Sequence, residues 1–247
     1  MPRLVIVLTA LLVLAAGCDR GGDETSAAQP KAPPRVQPKE PPPPRVSEQV
    51  HDVAVRVPSG TMVALRDRPG GRVLAKVGAR TEFGSPQTLA LIRARGDWAA
   101  VLSSELENSQ LGWAPIRQLE LVDSPLTLDV DLSARRLTVR DLDGVVRRIN
   151  IAIGASDTPT PPGEFYVTDK LNGADFGPYY GCCILALSGR QPNLPEGWSG
   201  GDRLAIHGSS TPTWGTAASN GCLHADEANL RYLMRWVPLG TFVRIHA

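Results

Sequence analysis

The sequence predicts a mostly β protein with one helix, in its C-terminal half. From about residue 52 onward, short stretches alternate apolar and polar residues between clusters of turn residues, which is the pattern of half-buried strands. Asp143-Gly144 separates two of these stretches, and a two-residue Asp-Gly link favours a hairpin. One stretch after residue 225 repeats apolar residues at helical spacing instead.

The first folded segment is predicted between residues 51 and 123. Five short strands are expected in it, at 53–55, 62–65, 73–75, 89–92 and 98–102. Strands at this spacing favour a small barrel. The phrases LRDRPGG, RGDWAAV and GWAPIRQLEL resemble bacterial SH3-like domains. We therefore expect an SH3-like barrel whose core includes Trp98 and Trp113.

The second folded segment, residues 124–247, is also predicted to be rich in strands. They are expected at 126–130, 149–153, 163–168, 183–187, 204–206 and 241–245. The helix is predicted from apolar residues at helical spacing, namely Leu230, Leu233, Met234 and Val237, and Pro238 would end it. The stretch 188–202, rich in glycine and proline, is predicted to be a surface loop or lid.

The N terminus resembles a bacterial lipoprotein signal peptide. Residues 4–16 are apolar except for Thr9, a run too short to span a bilayer but long enough for a signal-peptide core. Small residues then precede Cys18, the position that would carry the lipid. We predict a signal peptide at 1–17 and an exported chain anchored through Cys18 to the outer face of the cytoplasmic membrane, in the cell envelope, periplasm or cell wall. An ordinary secretory signal is the alternative.

Residues 18–50 are predicted to be a proline-rich linker. Eight of the twenty residues from 27 to 46 are proline, and such a segment favours an extended conformation of about 3.1 Å per residue. Behind a lipid anchor, this linker would act as a stalk that lifts the folded part from the membrane.

The charge balance excludes some classes of partner. The chain has 26 basic and 25 acidic residues and shows no basic patch, so we do not expect it to bind nucleic acid. The sequence also shows no acidic run that would collect metal ions, and we expect neither a cofactor nor a metal.

Besides the lipidation site, the exported part has three cysteines, and three thiols cannot all pair within one chain. Cys182 and Cys183 are adjacent, and because a bridge between neighbours strains the intervening peptide, we expect them unpaired on opposite faces of a strand. Two alternatives stay open for Cys222. It could form a structural disulfide with either of these cysteines, or share a zinc site with His207 and His224.

Cys222 is the candidate nucleophile. It follows Gly221 on a loop ahead of the predicted helix, where the helix dipole would stabilise a thiolate. A nucleophilic thiol needs a base, which is usually a histidine. His207 ends an apolar strand immediately before Gly208, so its side chain can leave the sheet edge and reach a neighbouring loop.

The residues around this pair resemble the signature of the YkuD family of L,D-transpeptidases. AIHGS at 205–209, followed by ASNGCLH at 218–224, is similar to the family's His-Gly pair and its Ser-His/Asn-Gly-Cys motif. DLSARRLTV, TPTPPGEF and VPLGTFVRI resemble, in the expected order, the family's opening hairpin, Thr-Pro-rich turn and last strand. The resemblance spans residues 124–247 and implies a β-rich YkuD-like catalytic domain.

The resemblance also implies roles for individual residues. Cys222 would be the nucleophile and His207 the general base, with a main-chain carbonyl near Gly208 or Ser209 orienting the imidazole. The oxyanion would be faced by backbone N–H groups, those of Asn220, Gly221 and Cys222.

The sequence departs from many family members at two positions. Asn220 stands where many have histidine, and because His207 is the implied base, we expect Asn220 only to shape the loop. His224 stands where many have arginine or asparagine, and we expect it to hydrogen-bond substrate or loop. Tyr180 and Trp214, in loop-like stretches, are further candidates for substrate binding.

The activity implied by the resemblance is acyl transfer in the bacterial cell wall. Cys222 would form a thioester with the third residue of a peptidoglycan stem and release the terminal D-alanine. Transfer to an amine of a second stem would give a 3→3 cross-link. Two alternatives are an L,D-carboxypeptidase, in which water is the acceptor, and an inactive cell-wall-binding protein. The expected partners are stem peptides and, through the anchor, the membrane, while a protein acceptor stays open.

Overall fold

The computed structural model describes residues 52–247. The predicted signal peptide, the proline-rich stalk and the lipidation site Cys18 lie outside the described residues. The described residues all belong to one compact unit. No helix between residues 52 and 247 combines the length and the apolar character that a membrane crossing requires.

Residues 53–123 form one antiparallel sheet of seven strands, as the alternating pattern predicts. The strands are β1 (Val53–Arg56), β2 (Met62–Arg66), β3 (Val73–Gly78), β4 (Thr88–Arg95), β5 (Trp98–Leu102), β6 (Leu111–Pro115) and β7 (Glu120–Asp123). Their spatial order is β3-β2-β6-β5-β4-β1-β7, and a 3-10 helix at Ile116–Gln118 precedes β7. All five predicted strands are present, while the likeness to SH3-like domains stays a prediction.

Trp98 and Trp113 do not lie in the core of this sheet, so that expectation is wrong. Both residues are half-buried, and the Arg93 guanidinium lies 5.7 Å from the centre of the Trp113 ring. The strands of this sheet contribute smaller side chains to the core instead, such as those of Leu65 and Leu89. Because these already fill the interior, the large amphipathic rings stay near the surface.

A second sheet is built from the residues that follow. The remaining strands are β8 (Thr127–Asp131), β9 (Arg136–Asp141), β10 (Gly144–Asn150), β11 (Ile153–Gly154), β12 (Gly163–Asn172), β13 (Cys183–Arg190), β14 (Arg203–His207), β15 (Ala217–Ser219), β16 (Leu223–His224) and β17 (Phe242–His246). Eight of them form a sheet in the order β10-β9-β8-β17-β12-β13-β14-β16, and β11 pairs with β15. The predicted Asp143-Gly144 hairpin joins β9 to β10.

The predicted helix is present as α1 (Glu227–Trp236). Asp226 caps its N terminus, because the Asp226 side chain accepts a hydrogen bond from the Asn229 N–H at 3.0 Å. Leu230 and Leu233 are fully buried in the core of the second sheet. The helical spacing in the sequence therefore identified the face that packs.

Strand β12 contributes to both hydrophobic cores, because neighbouring side chains on a strand point to opposite faces. Phe165 and Val167 are buried in the core of the second sheet. Tyr166, between them, is buried with the core residues of the first sheet. The two sheets therefore pack against each other around this strand.

The predicted loop at 188–202 begins later than expected. Strand β13 continues through Arg190, and both Ser188 and Gln191 are buried. Gly189, which favoured a loop prediction, is required by packing, because a Cβ at this position would lie 2.6 Å from the Phe165 ring. The segment 191–202 has no strand.

Cys182 and Cys183 form a disulfide with each other, so the expectation that they are unpaired is wrong. That expectation assumed regular strand alternation at both positions. Strand β13 begins only at Cys183, and Gly181, with φ +64°, turns the chain just before the pair. Cys222 is the free cysteine among the described residues, so the alternative of a structural disulfide at Cys222 is also wrong.

Candidate active site

A cavity of about 420 Å³ lies beside the edge strand β16 of the second sheet. Its walls come from β14, β16, the turn at 178–180 and the segment 191–202. Several reactive, charged or polar side chains line it, among them Tyr180, Arg203, His207, Asn220, Cys222 and His224. The structure thus brings the two principal residues predicted from the sequence, Cys222 and His207, into one cavity.

Strand pairing explains how Cys222 and His207, fifteen positions apart in the chain, come together. Strands β14 and β16 are parallel neighbours, with Ile206 opposite Leu223 and His207 opposite His224. Cys222 directly precedes β16 and by this register lies beside Ala205 on β14, two residues before His207.

The His207 imidazole is buried and held in one orientation. Its Nδ1 atom lies 2.6 Å from the main-chain oxygen of Gly208, as predicted. Because a carbonyl oxygen can only accept, Nδ1 carries the hydrogen and Nε2 has the free lone pair. Burial, with a smaller contribution from His224, lowers the pKa of His207 to about 3. The resting imidazole is therefore neutral.

The Cys222 thiol is also neutral at rest, contrary to the thiolate predicted from the helix dipole. Desolvation raises the pKa of Cys222 to about 11. The helix begins only at Glu227, and β16 separates it from Cys222, so its dipole acts too far away. The thiol donates a weak hydrogen bond to the Arg203 carbonyl at 3.9 Å rather than to His207.

We expect the alkylation of Cys222 by iodoacetamide to accelerate about tenfold per pH unit between pH 6 and pH 9. With the pKa of the thiol raised to about 11, the thiolate fraction grows in that proportion across the range. With the pKa of His207 lowered to about 3, no imidazolium is present there to stabilise a thiolate. Intact-mass rates at each pH measure this, with free cysteine as the reagent control. A rate that is level from pH 6 to pH 8 would reveal a preformed ion pair and contradict the prediction.

The loop before Cys222 is closed by its own hydrogen bonds. The Ser219 hydroxyl donates to the Cys222 carbonyl at 2.5 Å and accepts from the Gly221 N–H at 3.1 Å. The Gly221 amide, predicted to face the oxyanion, is therefore already occupied. Gly221 has φ +112°, a conformation that favours glycine, and a Cβ there would lie 2.0 Å from Gln191 Nε2.

Two polar side chains that the sequence analysis missed fasten this loop to the rest of the domain. The buried Gln191 side chain donates through Nε2 to the carbonyls of Asn220 at 3.2 Å and Pro159 at 3.0 Å. The Thr160 hydroxyl donates to the Gly221 carbonyl at 2.8 Å. The Thr-Pro-rich turn that resembled the family was the one signal in the sequence that pointed to this contact.

His224 and Tyr180 pack on either side of the imidazole of His207. The ring centres of Tyr180 and His224 lie 4.8 Å and 4.6 Å from that of His207. The Nδ1 atom of His224 is buried and has no hydrogen-bond partner among the described residues. Burial lowers the pKa of His224. His224 lines the cavity, and a neutral imidazole can hydrogen-bond a bound molecule.

The remaining predicted residues divide into two groups. Ser209 lines the cavity, whereas Trp214 does not. Trp198, which the sequence analysis did not single out, lines it instead, and its indole N–H donates to the Gly201 carbonyl at 2.7 Å. The aromatic side chain from the segment 191–202 thus takes the place expected for Trp214.

Between residues 52 and 247, no three histidine, cysteine, aspartate or glutamate side chains are grouped so that they could hold a metal ion. The rings of His207 and His224 pack against each other at a tilt of 48°, and His207 Nδ1 donates to the Gly208 carbonyl. The zinc-site alternative therefore has no support in this cavity.

The second sheet and its active-site cavity lie in a segment that matches a known protein family. Residues 125–245 match the model of the YkuD family, described as the L,D-transpeptidase catalytic domain. This segment is a YkuD domain. The YkuD proteins of Bacillus subtilis and Bacillus licheniformis are 31% and 32% identical over 125 and 124 residues, which are 49% of this chain and 66% of each relative. The chain thus spans just under two thirds of the length of the curated relatives it matches.

Solved structures of similar proteins were found as well. The L,D-transpeptidase from Mycobacterium smegmatis aligns with 56% of this chain and 73% of its own, at a TM-score of 0.39 and 19% identity. The C442S mutant of the Enterococcus faecium L,D-transpeptidase aligns with 49% of this chain and 50% of its own, at a TM-score of 0.38 and 24% identity. The assignment of the YkuD domain depends on the family match and not on these alignments.

Proposed function

We propose that this protein is a peptidoglycan L,D-transpeptidase, in which Cys222 forms a thioester with the third residue of a stem peptide. The observation that carries the proposal is that Cys222 and His207 line one cavity of a YkuD domain, with the imidazole held by Gly208. Because the contact with Gly208 leaves the Nε2 lone pair free, His207 can accept the thiol proton.

The first half of the proposed reaction transfers an acyl group to the enzyme. As the stem enters, the Cys222 thiol turns from the Arg203 carbonyl toward His207. The sulfur attacks the carbonyl carbon of the third residue while Nε2 takes the proton. Collapse of the tetrahedral intermediate breaks the bond to the terminal D-alanine, whose amine leaves with the proton from the imidazolium. The thioester and a neutral imidazole remain.

The oxyanion of this intermediate needs donors from the loop before the nucleophile. The Gly221 N–H already donates to Ser219, so we assign this role to the N–H groups of Asn220 and Cys222. Gln191 and Thr160 bind the carbonyls of the same loop, which keeps its N–H groups oriented toward the oxyanion position before substrate binds. Tyr180, His224 and Ser209 are proposed to contact the stem.

In the second half of the reaction, an amine of another stem attacks the thioester. His207 takes a proton from that amine and returns it to the departing sulfur, which restores the thiol and gives a 3→3 cross-link. Attack by water would instead give an L,D-carboxypeptidase. The geometry around His207 serves either acceptor, so the products decide between them.

We further propose where the enzyme works and how it is divided. The signal peptide at 1–17, lipidation at Cys18 and the stalk at 18–50 would hold the folded part at the outer face of the cytoplasmic membrane. The barrel at 51–123 and the catalytic domain at 124–247 would then reach the peptidoglycan. Partners would be stem peptides and the membrane.

The proposal is tested by the mass of the protein after incubation with a carbapenem, whose strained lactam carbonyl is an acyl donor for a nucleophilic thiol. We expect one adduct per chain, and peptide mapping should find it on the peptide that contains Cys222. Protein whose thiol has first been blocked with iodoacetamide is the matched control. An unmodified chain, under conditions that acylate another YkuD-family transpeptidase, would refute the enzyme and leave the wall-binding alternative. The products formed from donor and acceptor stems then distinguish cross-linking by a transpeptidase from hydrolysis by a carboxypeptidase.

A further inference from the structure

A loop of the first sheet reaches into the catalytic domain. The β3–β4 loop, residues 79–87, joins two strands of the first sheet. Thr81 donates a hydrogen bond to the buried carboxylate of Asp169 on β12, and Glu82 forms an ion pair with Arg203 on β14. Two neighbouring residues of this loop thus bind two different strands of the second sheet.

Glu82 balances a charge in the wall of the active-site cavity. Arg203 lines the cavity, and its side chain is only 12% exposed. The main-chain carbonyl of the same residue accepts the hydrogen bond from the Cys222 thiol. Among the described residues, Glu82 supplies the one carboxylate within ion-pair distance of this guanidinium. A nearly buried cation needs such a partner, because removal of the partner would leave the charge of the cation uncompensated.

Phe83, the next residue, begins a series of ring contacts that ends at the base. Its ring centre lies 6.1 Å from that of Phe176, which lies 6.2 Å from that of Tyr180, and both pairs are edge-to-face. Tyr180 in turn packs 4.8 Å from His207. The series joins the first sheet to the imidazole through three contacts.

The turn that carries Tyr180 is fastened to β14 at one end. The Gly208 N–H donates to the Tyr180 carbonyl at 2.9 Å. Gly181 packs so closely on Gly208 that a Cβ on residue 181 would lie 2.9 Å from the Cα of Gly208. These contacts hold the main chain of the turn. The outer side, at Phe176, is supported by Phe83 from the other sheet.

We infer that Glu82 and Phe83 are positioning residues of the active site, so that the first sheet is part of the transpeptidase rather than only a separate binding module. Glu82 holds Arg203 in the cavity wall, and Phe83 holds Tyr180 against His207 by way of Phe176. This inference rests on the proposed function for its catalytic consequence. The sharing of β12 between the two cores keeps the loop in place.

The test compares five variants of the full chain, the fifth being the conservative exchange Phe83→Tyr. Phe83→Ala removes the ring and Glu82→Gln removes the charge. Leu121→Ala and Glu120→Gln are matched controls on β7, at exposed positions of the same sheet that make no contact with the cavity. Acylation by a carbapenem is followed at several concentrations, which separates the maximal rate from the half-saturating concentration.

We expect Phe83→Ala to lower the maximal acylation rate about tenfold, because a small displacement of reacting groups is costly. Amide deuterium exchange should become faster in residues 173–181 and stay unchanged elsewhere. Phe83→Tyr should restore the rate. We expect Glu82→Gln to raise the half-saturating concentration about tenfold, because the charge of the cavity wall becomes unbalanced.

A maximal rate and amide exchange within twofold of the unmodified chain for Phe83→Ala, together with a half-saturating concentration within twofold for Glu82→Gln, would overturn the inference. So would an equal loss in the Leu121→Ala and Glu120→Gln controls, since that would show general weakening of the sheet. If the unmodified chain forms no carbapenem adduct, the proposed function fails separately. Deuterium exchange at 173–181 and alkylation of Cys222 then still decide whether the loop positions the turn.

Discussion

Cys222→Ser should lower acylation by a carbapenem at least a thousandfold. Serine retains a hydroxyl that can donate to the Arg203 carbonyl, as the thiol does. The alkoxide is much harder to form than the thiolate, and a neutral base such as His207 cannot generate it readily. Intact mass after prolonged incubation, and release of D-alanine from a stem tetrapeptide, measure the loss.

The matched control for this variant uses the two disulfide-bonded cysteines. A Cys182→Ser, Cys183→Ser double variant removes the disulfide but keeps Cys222, and it should still acquire the adduct at saturating carbapenem. The melting temperature of Cys222→Ser should stay within about 2 °C of the unmodified chain, because the exchange alters no packed volume appreciably. An adduct on Cys222→Ser would show that another group is the acceptor of the acyl chain.

His207→Asn should lower the acylation rate roughly a hundredfold to a thousandfold. The asparagine amide can still donate to the Gly208 carbonyl that now accepts from Nδ1, so the local structure is preserved. It cannot accept the thiol proton. The loss should appear in the maximal rate, with little change in the half-saturating concentration of the carbapenem.

His224→Asn is the control that distinguishes the roles of the two neighbouring histidines. It removes the neighbouring ring but leaves the base and its contact with Gly208 in place. We expect less than a tenfold loss of rate, and any change should fall mainly on donor binding. If His224→Asn cost as much as His207→Asn, the base would be misassigned.

The elements of the fold were predictable where the pattern was local. The helix was found because its buried positions recur at helical spacing. The strands were found because their alternation is visible over a few residues. The loop prediction at 188–202 failed in part because Gly189 is there to accommodate Phe165, a contact that no local pattern reveals.

The reactive pair was also predictable, but its electrostatics were not. The motif around Cys222 and His207 carried the resemblance to a family, and the sheet then brought the two together. Whether the thiol is charged depends on how deeply it is buried in the folded protein. The predicted thiolate assumed that the helix lies next to Cys222, whereas β16 lies between them. Gln191 escaped notice because its partners are remote in the chain.

The fastening of the loop before Cys222 makes acylation a measure of folding as well as of chemistry. Gln191 and Asn220 are 29 positions apart, and Thr160 and Gly221 are 61 positions apart. Such contacts form only when distant segments have already assembled. Titration with a carbapenem should therefore count only completely folded molecules. In a preparation that retains its strands but has lost the register between them in part of the molecules, the titration should count only the molecules that kept it.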